Sequence, residues 1–195
     1  GLKVLAVLGA LIFLFILSIY FGAWGKIPSK EALGNFKYQR ASEVYSSDSV
    51  LIGKYFLFDR QPIEYNQIPN NLIEALVAIE DERFYDHSGI DYKSLFRVAF
   101  KTILMQDRSS GGGSTISQQL AKNLYPREKS GKLQLAISKL KEMIIASRLE
   151  ELYSKEEIIT LYLNTVSFGD NTFGIESASL KFFNKPAQLL ALEES

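Results

Sequence analysis

Glu80, Asp81 and the only histidine of the protein, His87, lie close together in the stretch ALVAIEDERFYDHSGID, residues 75–91. Glu80 and Asp81 end an apolar run with helical spacing, and at about 3.6 residues per turn Glu80 and His87 fall on one face. A carboxylate at the buried edge of an apolar helix must be paired, protonated or used in chemistry. The pattern therefore indicates either a reactive carboxylate or a structural ion pair in which Arg83 serves Glu80 or Asp81.

A second stretch, DRSSGGGSTISQQLAKN, joins a glycine-rich loop to the start of a helix. Ser114 is a good N-cap, which predicts a helix over residues 115–124. The free N–H groups and the dipole of such a helix start bind anions, and Lys122 adds a full charge about two turns further on. The alternative is a flexible linker followed by an ordinary capped helix.

A third acidic candidate lies on a long helix predicted over residues 133–153. Besides its apolar stripe, this helix has a second face formed by Lys139, Glu142, Ala146 and Glu150. Small Ala146 leaves room beside Glu142, whereas Glu150 begins a more polar helix end and suits a solvated role. An intrahelical ion pair between Lys139 and Glu142 is the simpler interpretation of these residues alone.

The N-terminal segment that precedes these motifs is apolar apart from Lys3 and is long enough to cross a bilayer core of roughly 30 Å as a helix. Tyr20 and Trp24 stand where interfacial aromatic anchors would lie. We therefore predict a transmembrane helix over residues 2–24 and a polar juxtamembrane connector over residues 25–40, with a buried globular helix as the alternative. The Lys and Arg residues that follow the span outnumber those before it, which alone would place the bulk of the chain inside the cell.

Beyond the connector the pattern changes from a short hairpin to helices. Residues 41–65 mix β-branched and aromatic residues around SSDS, which predicts a hairpin. Capping-box spacings of Asn71 with Glu74 and of Ser154 with Glu157 predict two helix starts. A further helix begins after a capping aspartate at position 91, and its apolar stripe is predicted to lie in the core. That stripe consists of Leu95, Phe96, Ala99, Phe100, Ile103 and Leu104.

Composition narrows the possible chemistry. The 195 residues include 22 basic and 22 acidic side chains, so no charge excess favours nucleic acid as a partner. The absence of cysteine excludes disulfides, thiol nucleophiles and cysteine-ligated zinc, and a single histidine excludes a histidine-rich metal site. Any metal would be a hard cation of the magnesium, manganese or calcium type, bound mainly by oxygen ligands.

Several long motifs resemble those of the peptidoglycan glycosyltransferases of family 51 and occur in the same order along the chain. They are AIEDERFYDHSGID, GGGSTISQQLAKN, KLKEMIIASRLEELYSKEEIITLYLN and FGDNTFGIESASLKFFNKPAQLLALEES. Such enzymes occur as monofunctional transglycosylases and as the first domain of class A penicillin-binding proteins. The resemblance covers residues 41–195, and SEVYSSDSVLIGKYF is more similar to the class A group. Because the chain stops within a motif, the resemblance implies a C-terminally truncated domain.

The resemblance implies a role for each matching residue. Glu80 is expected to be the catalytic base, which takes the proton from the 4-hydroxyl of the acceptor sugar of lipid II. That oxygen displaces the lipid diphosphate from the anomeric carbon of the growing glycan, with inversion. Glu142 is the second catalytic carboxylate, expected either to hold a divalent cation, magnesium or manganese, or to orient basic groups. The implied substrate-binding residues are Asp81, Phe84, His87, Gly113, Ser114, Thr115, Gln118, Gln119, Lys122, Asn123, Lys139 and Arg148.

The same resemblance implies the architecture and the location. We expect a mostly α fold, with a lysozyme-like glycosyltransferase domain, a small membrane-proximal lobe and an N-terminal transmembrane helix. The chain would cross the bacterial cytoplasmic membrane once, with its catalytic domain on the outer, periplasmic side. This orientation is opposite to the one that the Lys and Arg residues around the span indicate. The implied partners are lipid II, the growing glycan strand, the bilayer and other cell-wall synthesis proteins.

The chain departs from the family pattern at two positions and along one connection. Ser117 stands where Thr is frequent, which preserves the hydroxyl. Ser138 stands where an Arg commonly precedes the Lys of the third motif, so one phosphate contact is either missing or supplied by Lys141. The segment YPREKSGKLQLAI also lengthens the connection between the second and third motifs.

Three other functions remain open at this point. A lysozyme-like hydrolase would use two carboxylates to cleave glycan strands, and a non-catalytic membrane-anchored module would only bind glycan or a cell-wall partner. A serine hydrolase built on Ser114, His87 and Asp91 is the weakest of the three, because the serine is not on a nucleophile elbow.

Overall fold

The computed structural model describes residues 1–36, 42–48, 51–55, 59–104, 112–127 and 131–195. The α-helices in these segments are α1 Leu2–Tyr20, α2 Lys30–Gly34, α3 Asn70–Glu80, α4 Tyr92–Leu104, α5 Ile116–Leu124, α6 Lys132–Leu152, α7 Lys155–Thr165 and α8 Ile175–Phe183. The strands are β1 Ser42–Tyr45, β2 Leu51–Tyr55, β3 Asp59–Arg60 and β4 Thr172–Phe173. The fold is therefore mostly α, as the sequence predicts. Parts of the predicted connector, hairpin, glycine-rich loop and lengthened connection lie outside the described residues.

The hairpin predicted within residues 41–65 is confirmed, because β1 and β2 pair antiparallel with Ser42 opposite Tyr55. A second pairing was not predicted: β3 runs parallel to β4, so that Asp59 lies opposite Thr172. Two-residue strands carry too little alternation to be read from a sequence. This pairing ties the segment that leads into α3 to the segment just before α8.

Helix starts follow local capping chemistry in one case and not in the other. The Ser154 hydroxyl accepts from the Glu157 N–H at 3.2 Å, and the Glu157 carboxylate accepts from the Ser154 N–H at 2.7 Å, which confirms the predicted capping box of α7. The corresponding prediction for α3 is wrong. That helix begins at Asn70, with Pro69 at the N-cap and no side-chain cap, because the chain enters it two residues earlier than the Asn71 cap would allow.

The core lies where α5 packs against α6 and α7. Fully buried apolar side chains from these three helices and from the turn after α3 fill it: Phe84, Ile116, Leu120, Ile137, Leu149, Ile158 and Ile159. Burying one such side chain contributes about 1.5–3 kcal/mol. The packing fixes the end of α3, the start of α5 and the middle of α6 next to one another, and these are the regions that carry the predicted site.

The described members of the apolar stripe of α4 are not buried in the core, contrary to the prediction. Phe96 is 74% exposed and Phe100 is 47% exposed, and their rings stack with centroids 6.4 Å apart. Leu95 is half-buried, and the side chains of the other predicted members lie outside the described part of the chain. An amphipathic pattern shows that one face of a helix is apolar but does not show what covers that face.

The N-terminal helix α1 is 19 residues long and ends at Tyr20. Its apolar side chains are exposed along most of its length, for example Val4, Val7, Leu11 and Phe13. Among the described residues, no helix has the combined length and hydropathy of a membrane span. The transmembrane helix predicted over residues 2–24 is therefore not confirmed.

The described part of the predicted connector is docked onto α6. The Tyr153 hydroxyl donates to the Leu33 carbonyl at 2.8 Å, and just before the connector the Lys141 ammonium donates to the Trp24 carbonyl at 2.6 Å. Leu33 itself is buried. The polar composition of this segment did not indicate these contacts, since they use backbone carbonyl groups that every residue has.

A close backbone approach joins the turn after α3 to α6. Gly89 has φ +88°, and a Cβ atom there would lie 2.8 Å from the Ala146 carbonyl carbon. Gly89→Ala should therefore lower the free energy of unfolding by about 2–4 kcal/mol, from backbone strain and overpacking together. Urea denaturation measures this, with Gly34→Ala as the control, because that glycine faces open space. Equal stability of the two variants would contradict the prediction.

Candidate active site

Glu80, the last residue of α3, lies at the border of two depressions. One is a polar cleft of about 260 Å³, and the other is a more apolar pocket of about 320 Å³. The polar cleft is lined by residues from the end of α3, the start of α4 and the loop before α5: Ala78, Ile79, Glu80, Asp81, Glu82, Arg83, Asp91, Ser94, Arg97, Gly112, Gly113, Ser114 and Thr115. The Glu80 side chain is exposed, so its carboxylate can reach a molecule bound in the cleft.

The neighbouring carboxylate, Asp81, is buried and fixes the start of α5. It accepts a hydrogen bond from the Ile116 N–H at 3.0 Å, and both its oxygens lie 3.1 Å from Nε2 of His87. Nδ1 of His87 accepts from the Gly89 N–H at 3.2 Å, so the ring proton is on Nε2 and is donated to Asp81. The positive end of the α5 dipole also favours a negative charge there. Asp81 and His87 thus hold the wall of the cleft behind Glu80.

The start of α5 differs from the prediction by one residue. Thr115, not Ser114, is the N-cap, and its hydroxyl accepts from the Gln118 N–H at 3.1 Å and donates to the Gly89 carbonyl at 2.7 Å. This leaves Ser114 free for another contact, and its hydroxyl accepts from the Lys139 ammonium at 2.5 Å. The loop before α5 therefore brings the cleft into contact with α6.

A group of basic residues surrounds Glu142 on α6. The Arg127 guanidinium donates twice to its carboxylate, at 2.5 and 2.8 Å, and Nζ of Lys139 lies 3.5 Å away. Burial lowers the pKa of Lys139 and outweighs the attraction of Glu142, and the charges of Arg127 and Lys122 lower it further. Glu142 in turn raises the pKa of Arg127 by accepting its hydrogen bonds. Lys122, Arg127 and Lys139 are called the cationic cluster below.

A carboxylate thus lines the cleft, and a positive group is bonded to one residue of the cleft wall. Glu80 and Ser114 both line it, and Ser114 carries the contact to Lys139. An accepting carboxylate beside a preorganised positive region suits a reaction in which a hydroxyl loses a proton while a leaving group gains negative charge.

Comparison with known proteins agrees with this geometry. Residues 49–195 match the model of a family described as Transglycosylase. The chain belongs to the transglycosylase family. It is 39% identical over 154 residues to penicillin-binding protein 1F of Bacillus subtilis, a match that covers 79% of this chain and 21% of the relative. It is 36% identical over 169 residues to penicillin-binding protein 1A of Escherichia coli, which covers 87% of this chain and 19% of that protein.

A third, shorter relative has a higher sequence identity to this transglycosylase chain over a shorter stretch. The biosynthetic peptidoglycan transglycosylase of Nitrosomonas eutropha is 45% identical over 133 residues, or 68% of this chain and 52% of that protein. The chain thus spans about a fifth of the two penicillin-binding proteins and about half of this third relative.

Most of the predicted site residues of this transglycosylase lie together. Asp81, Gly113, Ser114 and Thr115 line the cleft with Glu80. Gln119 bonds to Glu80 through its Nε2 at 2.6 Å, and Lys139 reaches the cleft wall through Ser114. Three further residues are buried or nearly so and support the cleft from behind: Phe84, His87 and Gln118. Lys122 is exposed and Asn123 is half-buried on α5.

Arg148 is not brought to the cationic cluster, contrary to the prediction. It follows Lys139 by nine residues on α6, or about 2.5 turns, and so projects from the opposite face. Its guanidinium donates to the Pro28 carbonyl at 2.7 Å and lies over the Tyr20 ring, 5.5 Å from the centroid. Arg148 therefore secures the N-terminal connector.

Two ion pairs also differ from their sequence interpretation. Arg83 donates to Asp91 at 2.6 Å rather than to either carboxylate at the end of α3. Glu150, for which a solvated role was predicted, has a side chain only 5% exposed and accepts from Ser117 at 2.5 Å and from Lys155 at 2.8 Å. Both pairs join residues from different elements, which helical spacing does not reveal.

The sequence analysis missed two functional candidates: Arg127, which bonds to Glu142, and Tyr162, whose hydroxyl donates to Gln119. Ser138 and Lys141 suggested where a phosphate contact would be lost or replaced, yet Lys141 bonds to the Trp24 carbonyl instead. The additional guanidinium comes from Arg127, in the lengthened connection before α6. The departure at position 138 was a signal that another basic residue was needed, but it gave no indication of which one.

The residues around Glu142 do not fit a divalent cation. Its two oxygens are occupied by Arg127, and Lys139 places a second positive charge beside them. The described residues include no group of three histidine or acidic side chains able to hold a metal ion. Hard cations need several oxygen ligands. In this arrangement Glu142 instead holds the side chains of Arg127 and Lys139 in place.

Asp91 provides a pH-dependent contribution to the stability of the cleft wall. Burial raises its pKa, but the Ser94 N–H and hydroxyl and the Arg83 guanidinium outweigh this and lower the pKa from 3.8 to about 2. The contribution, about 1–2 kcal/mol, is complete above pH 3.8 and is lost as the pH falls towards 2. Asp91→Asn should lower the unfolding free energy by that amount at pH 7, and the difference from the parent should shrink below pH 4.

Thermal and urea unfolding between pH 3 and pH 7 measure this difference. Asp86→Asn is the control, because the Asp86 side chain is exposed. A difference between parent and Asp91→Asn that stays constant from pH 7 to pH 3 would show that the Asp91 charge does not contribute.

Proposed function

We propose that this transglycosylase domain polymerises lipid II into glycan strands and releases undecaprenyl diphosphate. One observation carries the proposal: the exposed carboxylate of Glu80 and the Ser114–Lys139 contact border the same cleft. A site that joins sugars from a lipid diphosphate needs a proton acceptor and a positive region for the leaving group, and this cleft offers both.

In the proposed reaction Glu80 accepts the proton of the acceptor 4-hydroxyl. The oxygen forms a bond to the anomeric carbon of the growing glycan, and the bond from that carbon to the diphosphate oxygen breaks. The electron pair leaves with the diphosphate, whose charge Lys139 and the other members of the cationic cluster stabilise. Glu142 orients two members of the cluster, Arg127 and Lys139, by direct contact. No protein nucleophile is required, which agrees with inversion by direct displacement.

The test is incubation of the full chain with labelled lipid II and separation of the products by size. We expect polymer that a muramidase can digest. Absence of polymer would contradict the proposal. Release of reducing ends from preformed glycan, without polymer from lipid II, would favour the lysozyme-like hydrolase instead.

We also propose that the chain is attached to the outer face of the cytoplasmic membrane through α1. The exposed apolar side chains of this helix support the proposal, since such a surface is unfavourable in water. Attachment there would hold the cleft near a substrate whose polyprenyl chain stays in the bilayer. Flotation with lipid vesicles tests it: the full chain should float and a variant without residues 1–24 should not. Equal behaviour of the two would contradict attachment through α1.

A requirement for magnesium or manganese stays a prediction, and no step of the proposed reaction passes through a metal ion. Polymerisation of lipid II in the presence of EDTA, with and without added cation, tests it. Full activity in EDTA would show that no divalent cation is needed.

A further inference from the structure

Three helices meet in a chain of hydrogen bonds that ends on Glu80. The Tyr162 hydroxyl of α7 lies 3.2 Å from Oε1 of Gln119 on α5, and Nε2 of Gln119 lies 2.6 Å from Oε2 of Glu80 at the end of α3. The Tyr162 side chain, together with Glu80, lines the apolar pocket beside the cleft. Tyr162 therefore lies close to the proposed base without a direct hydrogen bond to it.

The direction of these bonds follows from the chemistry of the groups. An ionised carboxylate can only accept, so the amide nitrogen of Gln119 must face Glu80. The amide oxygen then faces Tyr162 and needs a donor, which the phenolic O–H supplies. Burial, followed by the negative charge of Glu80, raises the pKa of Tyr162 to about 12, so its hydroxyl remains a donor at neutral pH.

The position of the Tyr162 hydroxyl is itself well defined. The residue is 6% exposed, and its neighbours in the core include Ile158, Ile159 and Leu163 of the same helix. A buried ring of this kind has a fixed position, so the Gln119 amide, and not the ring, adjusts to make the hydrogen bond. The Tyr162 hydroxyl thus fixes one end of the Gln119 carboxamide from α7, while Glu80 accepts from the other end.

We propose that Tyr162 is a positioning residue for the glycosyl transfer, which acts by fixing the Gln119 carboxamide and, through it, the Glu80 carboxylate. The role rests on the proposed function of Glu80. Without the hydroxyl, the amide nitrogen still faces Glu80, but the carboxamide is held at one end only, so the Glu80 carboxylate that it bonds to is held less firmly. The base then spends less time in the geometry that proton transfer requires.

The first measurement is steady-state polymerisation of lipid II by the full chain carrying Tyr162→Phe. We expect kcat to fall roughly tenfold, while KM changes by less than about twofold, because the hydroxyl orients the base and does not bind substrate. The matched control is Tyr153→Phe, which removes a hydroxyl that donates to the Leu33 carbonyl at 2.8 Å, in the connector. That variant should keep the kcat of the parent.

The second measurement separates a role through Gln119 from a general effect on packing. Gln119→Ala should lower kcat at least as much as Tyr162→Phe, and adding Tyr162→Phe to it should change kcat no further. An undiminished kcat in Tyr162→Phe would overturn the proposal. It would also be overturned if Tyr162→Phe lowered kcat by the same factor in the parent and in the Gln119→Ala variant. In both cases an active parent would leave the proposed function intact. A parent that makes no polymer would overturn the proposed function and this role together.

Discussion

Replacing Glu80 with glutamine should reduce polymer formation from lipid II by about 100- to 10,000-fold. Glutamine has nearly the same shape as glutamate but cannot accept the hydroxyl proton. The hydrogen bond from Gln119 can persist, because the new amide oxygen still accepts. The loss should therefore lie in kcat, with KM close to that of the parent.

The fold should survive this substitution. Glu80 is exposed at the end of α3, and surface changes of this kind usually alter stability by less than about 0.5 kcal/mol. Glu82→Gln is the matched control, because Glu82 is also exposed and lines the same cleft. We expect that variant to keep most of the activity. Similar losses in both variants would indicate a general effect of cleft charge and not a base at position 80.

Glu142→Gln should have the second largest effect, and it should affect both stability and activity. The side chain of Glu142 is 4% exposed and holds Arg127 in a bidentate contact. Removing its charge leaves Arg127 and Lys139 facing each other without compensation. We expect a loss of about 1–3 kcal/mol in the free energy of unfolding and roughly a 10- to 100-fold loss in kcat/KM for lipid II.

A double variant separates these two effects. Arg127→Gln combined with Glu142→Gln removes both partners of the bidentate contact, so part of the stability should return. Activity should not return, because the diphosphate would then lack one of its positive groups. Unfolding in urea and polymerisation rates measure the two quantities. Recovery of activity together with stability would show that Glu142 is only structural.

Sequence patterns predicted the elements of this site well where the signal was local. The helix that ends at Glu80, the hairpin and the capping box of Ser154 with Glu157 each depend on residues close in the chain. The order of the family motifs also predicted that residues near positions 80, 114 and 139 would meet. In the structure Glu80 and Ser114 line one cleft, and Lys139 contacts Ser114 from α6.

Contacts between distant residues were the part that the sequence did not predict. Arg127 precedes α6 in the chain and reaches Glu142 in the middle of that helix, and Tyr162 reaches Gln119 from a separate helix. Arg148 was assigned to the wrong region, because its charge suited the substrate while its helical position points it at Pro28. A residue type indicates which interactions are possible, but only the packing of helices determines which partner lies within reach.

The exposed face of α4 illustrates the same limit for apolar residues. Phe96 and Phe100 have the spacing of a core stripe, yet both are exposed. Helical periodicity predicts that a face will avoid water, and it gives the same signal for a core and for any other apolar surroundings.

The most direct test of the central claim is a single-turnover comparison of the parent and Glu80→Gln with bound lipid II. It measures the affinity for the substrate and the rate of the bond-forming step separately. We predict an unchanged dissociation constant and a bond-forming rate at least about 100-fold lower in the variant. An unchanged rate would contradict the assignment of Glu80 as the base that accepts the hydroxyl proton.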